Sequence, residues 1–231
     1  GGLDRVHDPA VFAKRPSPEA IMAEFAGARG AFISFLGEYQ ELAKVKRTFN
    51  RRREFSGEEL LKWQKMVIWN FLIGNLDPHD KNIFVKINAQ GELVDIRMID
   101  HGNSFPESNP GRFGSRGNLG FWRKFTISQE PFCHEIRQFI LDNISEETVT
   151  KFFDANPDRS HFFKKPMRKL QQARLRLLRE QVATGNISTP ADLAKVQTNR
   201  DYSKLLKSRN PQECGRKMRK KASTPVQEIK V

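Results

Sequence analysis

The sequence has few residues that could crosslink the chain and no apolar stretch long enough to cross a bilayer. Its two cysteines, Cys133 and Cys214, lie far apart and form neither a metal-binding nor a redox spacing. We therefore expect the thiols to stay reduced in a reducing compartment. There is no run of about 20 apolar residues, and no basic-then-apolar segment of the signal-peptide type near the N-terminus. Any membrane contact is therefore expected to be peripheral.

Positive charge is the property in which the sequence is rich. Its 231 residues carry 40 Lys and Arg against 27 Asp and Glu, a formal net charge of +13. Residues 195–231 hold 11 basic and 3 acidic residues and few large apolar ones, so we expect a disordered or loosely docked tail. The overall charge favours an anionic partner such as a phospholipid surface or a nucleotide. Nucleic acid is not the partner we expect.

A capping box, a long apolar helix and a β-hairpin follow one another in the middle of the chain. Ser56 and Glu59 have the spacing that satisfies two orphan amides at a helix start. The residues after them are apolar nearly all round, which predicts a central buried helix over 57–75. Alternating apolar residues predict a hairpin with strands at 83–87 and 93–99. The other predicted elements are a strand at 31–36 and helices at 18–26, 38–46, 134–141, 145–154 and 166–183.

The strongest functional signal lies at the two ends of this hairpin. Asp77 and Asn82, before the hairpin, are separated by four residues, and Asp100 follows it directly before His101-Gly102. This spacing is typical of phosphoryl-transfer sites, in which the first Asp accepts the proton of the attacking hydroxyl while the Asn and second Asp bind Mg²⁺. Because a hairpin brings its ends together, we expect Asn82 and Asp100 to share one metal. Singly, each is also an ordinary turn residue.

Two further polar residues inside the loop extend the predicted site. His79 is a candidate for orienting the loop by hydrogen bonding, and Lys81 is a candidate for offsetting phosphate charge. A solvated surface side chain is an equally good interpretation of Lys81. The candidate catalytic residues are therefore Asp77, His79 and Lys81.

The segment after Asp100 leaves two questions open. Residues 105–121 are rich in Gly, Pro, Ser and Asn, and they form either a basic loop facing an anionic substrate or a simple surface loop. The aromatic residues that follow either insert at a membrane interface or pack against the helices. The basic residues in and after this loop are Arg112, Arg116, Arg123 and Lys124. The aromatic residues that follow it are Phe121, Trp122 and Phe125.

Together these motifs resemble the C-lobe of type II phosphatidylinositol 4-kinases. The resemblance covers about residues 28–185. It includes a hinge-like segment, GAFISFLGEYQEL, that starts at Gly30, and the Asn75-Leu76-Asp77 loop. It is most specific in the MIDHGNSFP segment from Met98, and it extends to the EPFCHEI segment from Glu130. Sequences of this kind occur in eukaryotic lipid kinases and in bacterial proteins, including secreted effectors.

The resemblance implies an α+β, protein-kinase-like fold of the phosphatidylinositol-kinase type, with a mostly helical C-lobe and a metal-binding β-hairpin. It implies ATP and Mg²⁺ as cofactors, Asp77 as catalytic base, and Asn82 and Asp100 as metal ligands. Ser34, Phe35 and Leu36 would then line the adenine. The implied substrate is an inositol lipid hydroxyl at an anionic phosphoinositide membrane surface. The protein would be cytoplasmic and peripheral to a membrane, or an effector secreted by bacteria into a host cell.

The N-terminal part departs from that pattern. No Gly-rich loop precedes residue 30, and neither Lys14 nor Lys44 stands in a strand context that suits the phosphate-binding lysine of kinases. We expect a reduced or missing N-lobe, with a remnant or linker at 1–30, the C-lobe at 31–190 and the basic tail at 191–231. Pro78 and Lys81 also depart from the lipid kinases and resemble HipA-type Ser/Thr kinases, which phosphorylate protein. A pseudokinase that binds a membrane or protein through its basic surface is the third alternative.

Overall fold

The computed structural model describes residues 20–25, 28–33, 37–100, 104, 120–145, 147–148, 150–151 and 165–198. These residues form an α+β structure, as predicted. The α-helices that lie wholly within the described residues are α1 Leu42–Arg51, α2 Gly57–Ile73, α3 His134–Asn143, α4 Lys165–Ala183 and α5 Pro190–Thr198, and residues 147–148 and 150–151 are helical as well. Short 3-10 helices within the same residues are Phe121–Lys124 and Thr126–Gln129. The predicted adenine-lining residues Ser34, Phe35 and Leu36, the basic loop at 105–119 and the tail from 199 onward lie outside the described residues.

A three-stranded antiparallel sheet packs against the central helix. Its strands are β3 Gln40–Glu41, β4 Ile83–Ile87 and β5 Leu93–Met98, in the order β3-β4-β5. Strands β4 and β5 form the predicted hairpin, with Ile83 opposite Met98 and an irregularity between Lys86 and Ile87. Alternate residues of the hairpin are buried because one face covers α2. The hairpin prediction is confirmed to within one residue.

The first described element corrects the sequence prediction. A helix was expected at 18–26, but strands β1 Ala20–Phe25 and β2 Ala28–Ile33 form an antiparallel hairpin there. The prediction relied on Ser17-Pro18 as a helix start, and that signal is local. Residues 20–25 are mostly apolar, AIMAEF, which also suits a strand, and their pairing with β2 decides the outcome.

The central helix α2 begins with the predicted capping box. The Ser56 side chain accepts a hydrogen bond from the Glu59 amide, and the Glu59 carboxylate accepts one from the Ser56 amide. Glu59 is only 2% exposed, and its carboxylate also accepts from the backbone amide of Leu93 at 2.8 Å. Burial would raise the pKa of Glu59, but the hydrogen bonds from Arg52, Leu93 and Ser56 outweigh it and lower the pKa to about 2. The start of α2 is thereby tied to the start of β5.

An aromatic cluster joins α1, α2 and the two 3-10 helices. Trp63 lies 5.5 Å from Phe49 and 5.0 Å from Phe125 between ring centroids. Phe121, Trp122 and Phe125 are all buried in this core, so the alternative in which they insert into a membrane is wrong and the packing alternative is confirmed. None of the helices in the described part of the chain is long and apolar enough to span a membrane.

The C-terminal helix α5 belongs to the core and was not predicted. Its Leu193 and Ala194 are fully buried, and the Trp122 indole Nε1 donates to the carbonyl of Pro190 at 3.1 Å. Gly120, just before the first 3-10 helix, has a φ of +71°. A Cβ atom there would lie 2.7 Å from Cβ of Ala194, so only glycine allows the two segments to approach this closely.

Candidate active site at the end of the central helix

The candidate loop begins where α2 stops. Gly74 takes a left-handed conformation with φ of +65°, and its amide donates back to the carbonyls of Asn70 and Phe71. Arg174 of α4 adds a second contact there: its Nη2 donates to the Phe71 carbonyl at 2.8 Å, and its guanidinium lies 4.9 Å from the Phe71 ring centroid. A cation beside the last carbonyls of a helix is favourable. The base of the loop is therefore fixed by two elements of the core.

Asp77 is fixed by a hydrogen bond of its backbone amide, and its side chain is partly exposed to solvent. Its amide donates to Oδ1 of Asn75 at 2.9 Å. Its carboxylate is 31% exposed, and Oδ2 lies 3.9 Å from Nε2 of His79. A carboxylate that is anchored through its own backbone and still reached by solvent suits a proton acceptor.

His79 forms two hydrogen bonds within the loop. Its Nδ1 accepts from the amide of Lys81 at 3.2 Å, so the neutral ring carries its proton on Nε2, the atom that faces Asp77. Its carbonyl accepts from the amide of Asn82 at 3.0 Å. Lys81 is exposed at the rim of the loop.

The loop is also fastened to α1 through Asp80, which the sequence interpretation did not single out. The Asp80 carbonyl accepts from the amide of Ala43, in the first turn of α1, at 3.0 Å. Its carboxylate Oδ2 pairs with Nζ of Lys46 at 3.1 Å. The free amides of a helix start need acceptors, and Asp80 supplies one. Lys44, considered in the sequence as a phosphate-binding residue, lies on the same helix, exposed and paired with Glu41 at 3.3 Å.

Asn82 and Asp100 lie at one end of the β4–β5 hairpin, as the sequence predicted. The Ile99 amide donates to the Asn82 carbonyl at 2.9 Å, which places Asp100 one residue past the partner of Asn82. Asp100 has a φ of +54° and is the one non-glycine residue with positive φ in the described part. Its side chain is exposed. Such a conformation costs free energy and is found disproportionately at functional sites.

Asn82 and Asp100 each carry a side-chain oxygen of the kind that Mg²⁺ takes as a ligand in proteins. Among the described residues, no group of three or more His, Cys, Asp or Glu side chains could hold a metal. The Nδ2 atom of the Asn82 side chain is buried and has no hydrogen-bond partner within the part of the chain that the structure describes, but this nitrogen is a hydrogen-bond donor and not a metal ligand. The side-chain oxygen of Asn82 and the exposed carboxylate of Asp100 would be the two oxygen ligands. Mg²⁺ takes few protein ligands and completes its shell with water and substrate phosphates.

No protein-family model matches the chain, and a search of curated proteins finds no match.

Proposed function

We propose that the chain is an ATP- and Mg²⁺-dependent phosphotransferase of the phosphatidylinositol-kinase-like class, acting on a hydroxyl of an inositol lipid. The observation that carries the proposal is the β4–β5 hairpin, which holds Asn82 and Asp100 at one end, directly after the loop of Asp77. The resemblance of the Asp77–Asn82 loop and of the segment from Met98 supports a kinase-like identity for this α+β fold. The net charge of +13 supports an anionic lipid surface as partner.

In the proposed reaction, the substrate hydroxyl oxygen attacks the γ-phosphorus of ATP. The bond between that phosphorus and the oxygen bridging to the β-phosphate breaks, and ADP leaves with the bonding electron pair. Asp77 accepts the hydroxyl proton, and the His79 Nε2 proton faces the same carboxylate. Mg²⁺ held by Asn82 and Asp100 would offset the charge of the phosphates.

The test measures nucleotide binding and phosphate transfer separately. Wild type should show a rise in melting temperature with ATP that requires Mg²⁺, and it should transfer ³²P from ATP to phosphoinositide vesicles. Asp77→Asn should keep the thermal shift and lose the transfer, whereas Asp100→Asn should lose both. Asp142→Asn removes an exposed carboxylate on α3 and is the matched control, which should retain both. Full transfer by both Asp77→Asn and Asp100→Asn would refute the proposal.

A protein substrate is the second candidate, and Lys81 favours it. This exposed lysine and the buried Pro78 before His79 give the loop the order found in HipA-type Ser/Thr kinases. Label appearing in protein and not in lipid would establish that alternative. Vesicle binding without any nucleotide-dependent thermal shift would instead indicate a pseudokinase that acts through its basic surface.

A further inference from the structure

A chain of amide hydrogen bonds runs from the partly buried candidate base into the buried core. The Asp77 amide donates to Oδ1 of Asn75 at 2.9 Å, and Nδ2 of Asn75 donates to Oδ1 of Asn70 at 3.2 Å. The Nδ2 atom of Asn70 donates to the carbonyl of Met66, one turn earlier in α2, at 3.1 Å. The same nitrogen contacts Sδ of Met98, the last residue of β5.

The direction of this chain is fixed at both ends. A backbone amide can only donate, so the atom of Asn75 that faces Asp77 is its oxygen. A backbone carbonyl can only accept, so the atom of Asn70 that faces Met66 is its nitrogen. The oxygen of Asn70 and the nitrogen of Asn75 then face each other as acceptor and donor. No other assignment of the two amides satisfies every group.

The two asparagines stand in unfavourable surroundings for their type. Asn70 is 2% exposed and Asn75 is 3% exposed, and the neighbouring residues of α2 are mostly apolar. Asparagine is also a poor helix former, and α2 continues past Asn70 to Ile73. The end of α2 is closed by backbone hydrogen bonds, since the amides of Gly74 and Asn75 donate to the Asn70 carbonyl, and by Arg174, which donates to the Phe71 carbonyl. These capping bonds use the backbone of Asn70 and Asn75, so they do not account for the two side-chain amides.

We propose that Asn70 and Asn75 are positioning residues that hold the Asp77 loop and the end of β5 in a fixed position relative to each other. Asn75 sets the backbone of Asp77, while Asn70 contacts Met98, two residues before Asp100. The two halves of the candidate site are thereby joined through the core as well as through the hairpin. An effect of the two asparagines on catalysis rests on the proposed function. The structural coupling that they provide between the Asp77 loop and the end of β5 does not.

Leucine variants separate positioning from stability. Asn70→Leu or Asn75→Leu leaves its partner buried without a hydrogen bond, and each should lower stability. The double variant removes both amides and should recover part of that loss. It should nevertheless leave the Asp77 amide without its acceptor. We therefore expect amide hydrogen exchange in residues 75–82 to rise at least tenfold in both Asn75→Leu and the double variant. The rise in the double variant should persist under conditions where that variant is more stable than Asn75→Leu.

Gln64→Leu is the matched control. Gln64 is a fully buried amide of the same helix, with hydrogen bonds to the Pro131 carbonyl and the Cys133 amide, both at 2.8 Å. The Gln64→Leu variant should lower stability without raising amide hydrogen exchange in residues 75–82. Unchanged exchange in Asn75→Leu and the double variant, or an equal rise in Gln64→Leu, would overturn the coupling.

Turnover then tests the catalytic consequence. With an active wild type, Asn75→Leu and the double variant should lower kcat by about 10- to 100-fold while KM for ATP stays within about twofold, since small misplacement of a catalytic group acts on the chemical step. Raised exchange together with a wild type that transfers no phosphate would refute the proposed function and leave the coupling supported. Raised exchange with unchanged kcat in an active enzyme would refute the positioning role.

Discussion

The guanidinium of Arg52 forms a two-pronged pair with the buried carboxylate of Glu59, and its Nη2 atom lies 3.0 Å from Oε2. Arg52 also donates to the carbonyl of Gly91 at 3.1 Å, in the turn between β4 and β5. Glu59 itself accepts from the amide of Leu93. A single ion pair thus joins the turn of the β4–β5 hairpin to the start of α2.

This carboxylate should govern part of the acid sensitivity of the fold. The pKa of Glu59 is lowered from 4.5 to about 2, so its contribution to folding is complete above pH 4.5 and is lost as the pH falls toward 2. A shift of that size corresponds to roughly 3 kcal/mol of unfolding free energy. Urea unfolding should therefore show a steep loss of stability across this interval, and Glu59→Gln should flatten it. An identical pH slope in the two proteins would contradict the assignment.

Asp100 should be replaceable by glycine with a gain in stability and a loss of function. Its φ of +54° is unfavourable for any residue with a Cβ, and glycine adopts it freely. We expect Asp100→Gly to raise the free energy of unfolding by about 0.5–1 kcal/mol, and Asp100→Ala to lower it by a similar amount. If the proposed metal role is correct, the glycine variant also loses Mg²⁺-dependent nucleotide binding. Urea denaturation and the thermal shift measure the two effects independently.

Gly120 should tolerate alanine far less than Gly185 does. Both have positive φ, +71° and +69° respectively, but a Cβ at Gly120 would collide with Ala194 whereas one at Gly185 would meet nothing within 4 Å. We expect Gly185→Ala to cost about 1 kcal/mol for backbone strain alone, and Gly120→Ala roughly 2–4 kcal/mol because overpacking is added. Equal losses in denaturant unfolding would show that α5 does not press on the chain at Gly120.

The ion pair between Lys46 and Asp80 should contribute little to stability. The two side chains are 51% and 27% exposed, and exposed pairs typically contribute less than about 1 kcal/mol. A double-mutant cycle with Lys46→Ala and Asp80→Ala should therefore give a coupling of about 0.5 kcal/mol that vanishes in 1 M salt. A larger coupling that resists salt would mean that the pair is shielded from solvent. The backbone bond from Ala43 to Asp80 remains in every variant and keeps the loop on α1.

Sequence reasoning succeeded where the signal was local. The capping box of Ser56 and Glu59, the apolar run after it and the turn at Gly91 each lie within a few residues of the structure they specify. They were enough to predict α2, the β4–β5 hairpin and the approach of Asn82 to Asp100. Helices α3 and α4 were likewise found within two residues of their observed bounds.

The errors arose where the structure of a segment depends on the segment that pairs or packs with it. Residues 20–25 become a strand because β2 pairs with them, which no helix-start rule could anticipate. Helix α5 was included in the basic tail because its charged neighbours obscured it. A signal was nevertheless present: Thr189 caps the Asp192 amide at 3.0 Å, and Pro190 occupies the first helical position. Asn70 and Asn75 lie five positions apart in the sequence, and only the three-dimensional structure shows that their side chains are hydrogen-bonded to each other.

The burial of Trp122 under α5 has a consequence for biosynthesis. A growing chain emerges from its N-terminus, so α2 and the β4–β5 hairpin become available to fold long before residues 190–198 do. Until then the indole of Trp122 lacks the Pro190 carbonyl that it donates to, and the aromatic cluster stays open on that side. A nascent chain whose synthesis stalls before α5 would therefore have an incompletely packed core with exposed aromatic rings. Chaperones recognise surfaces of this kind.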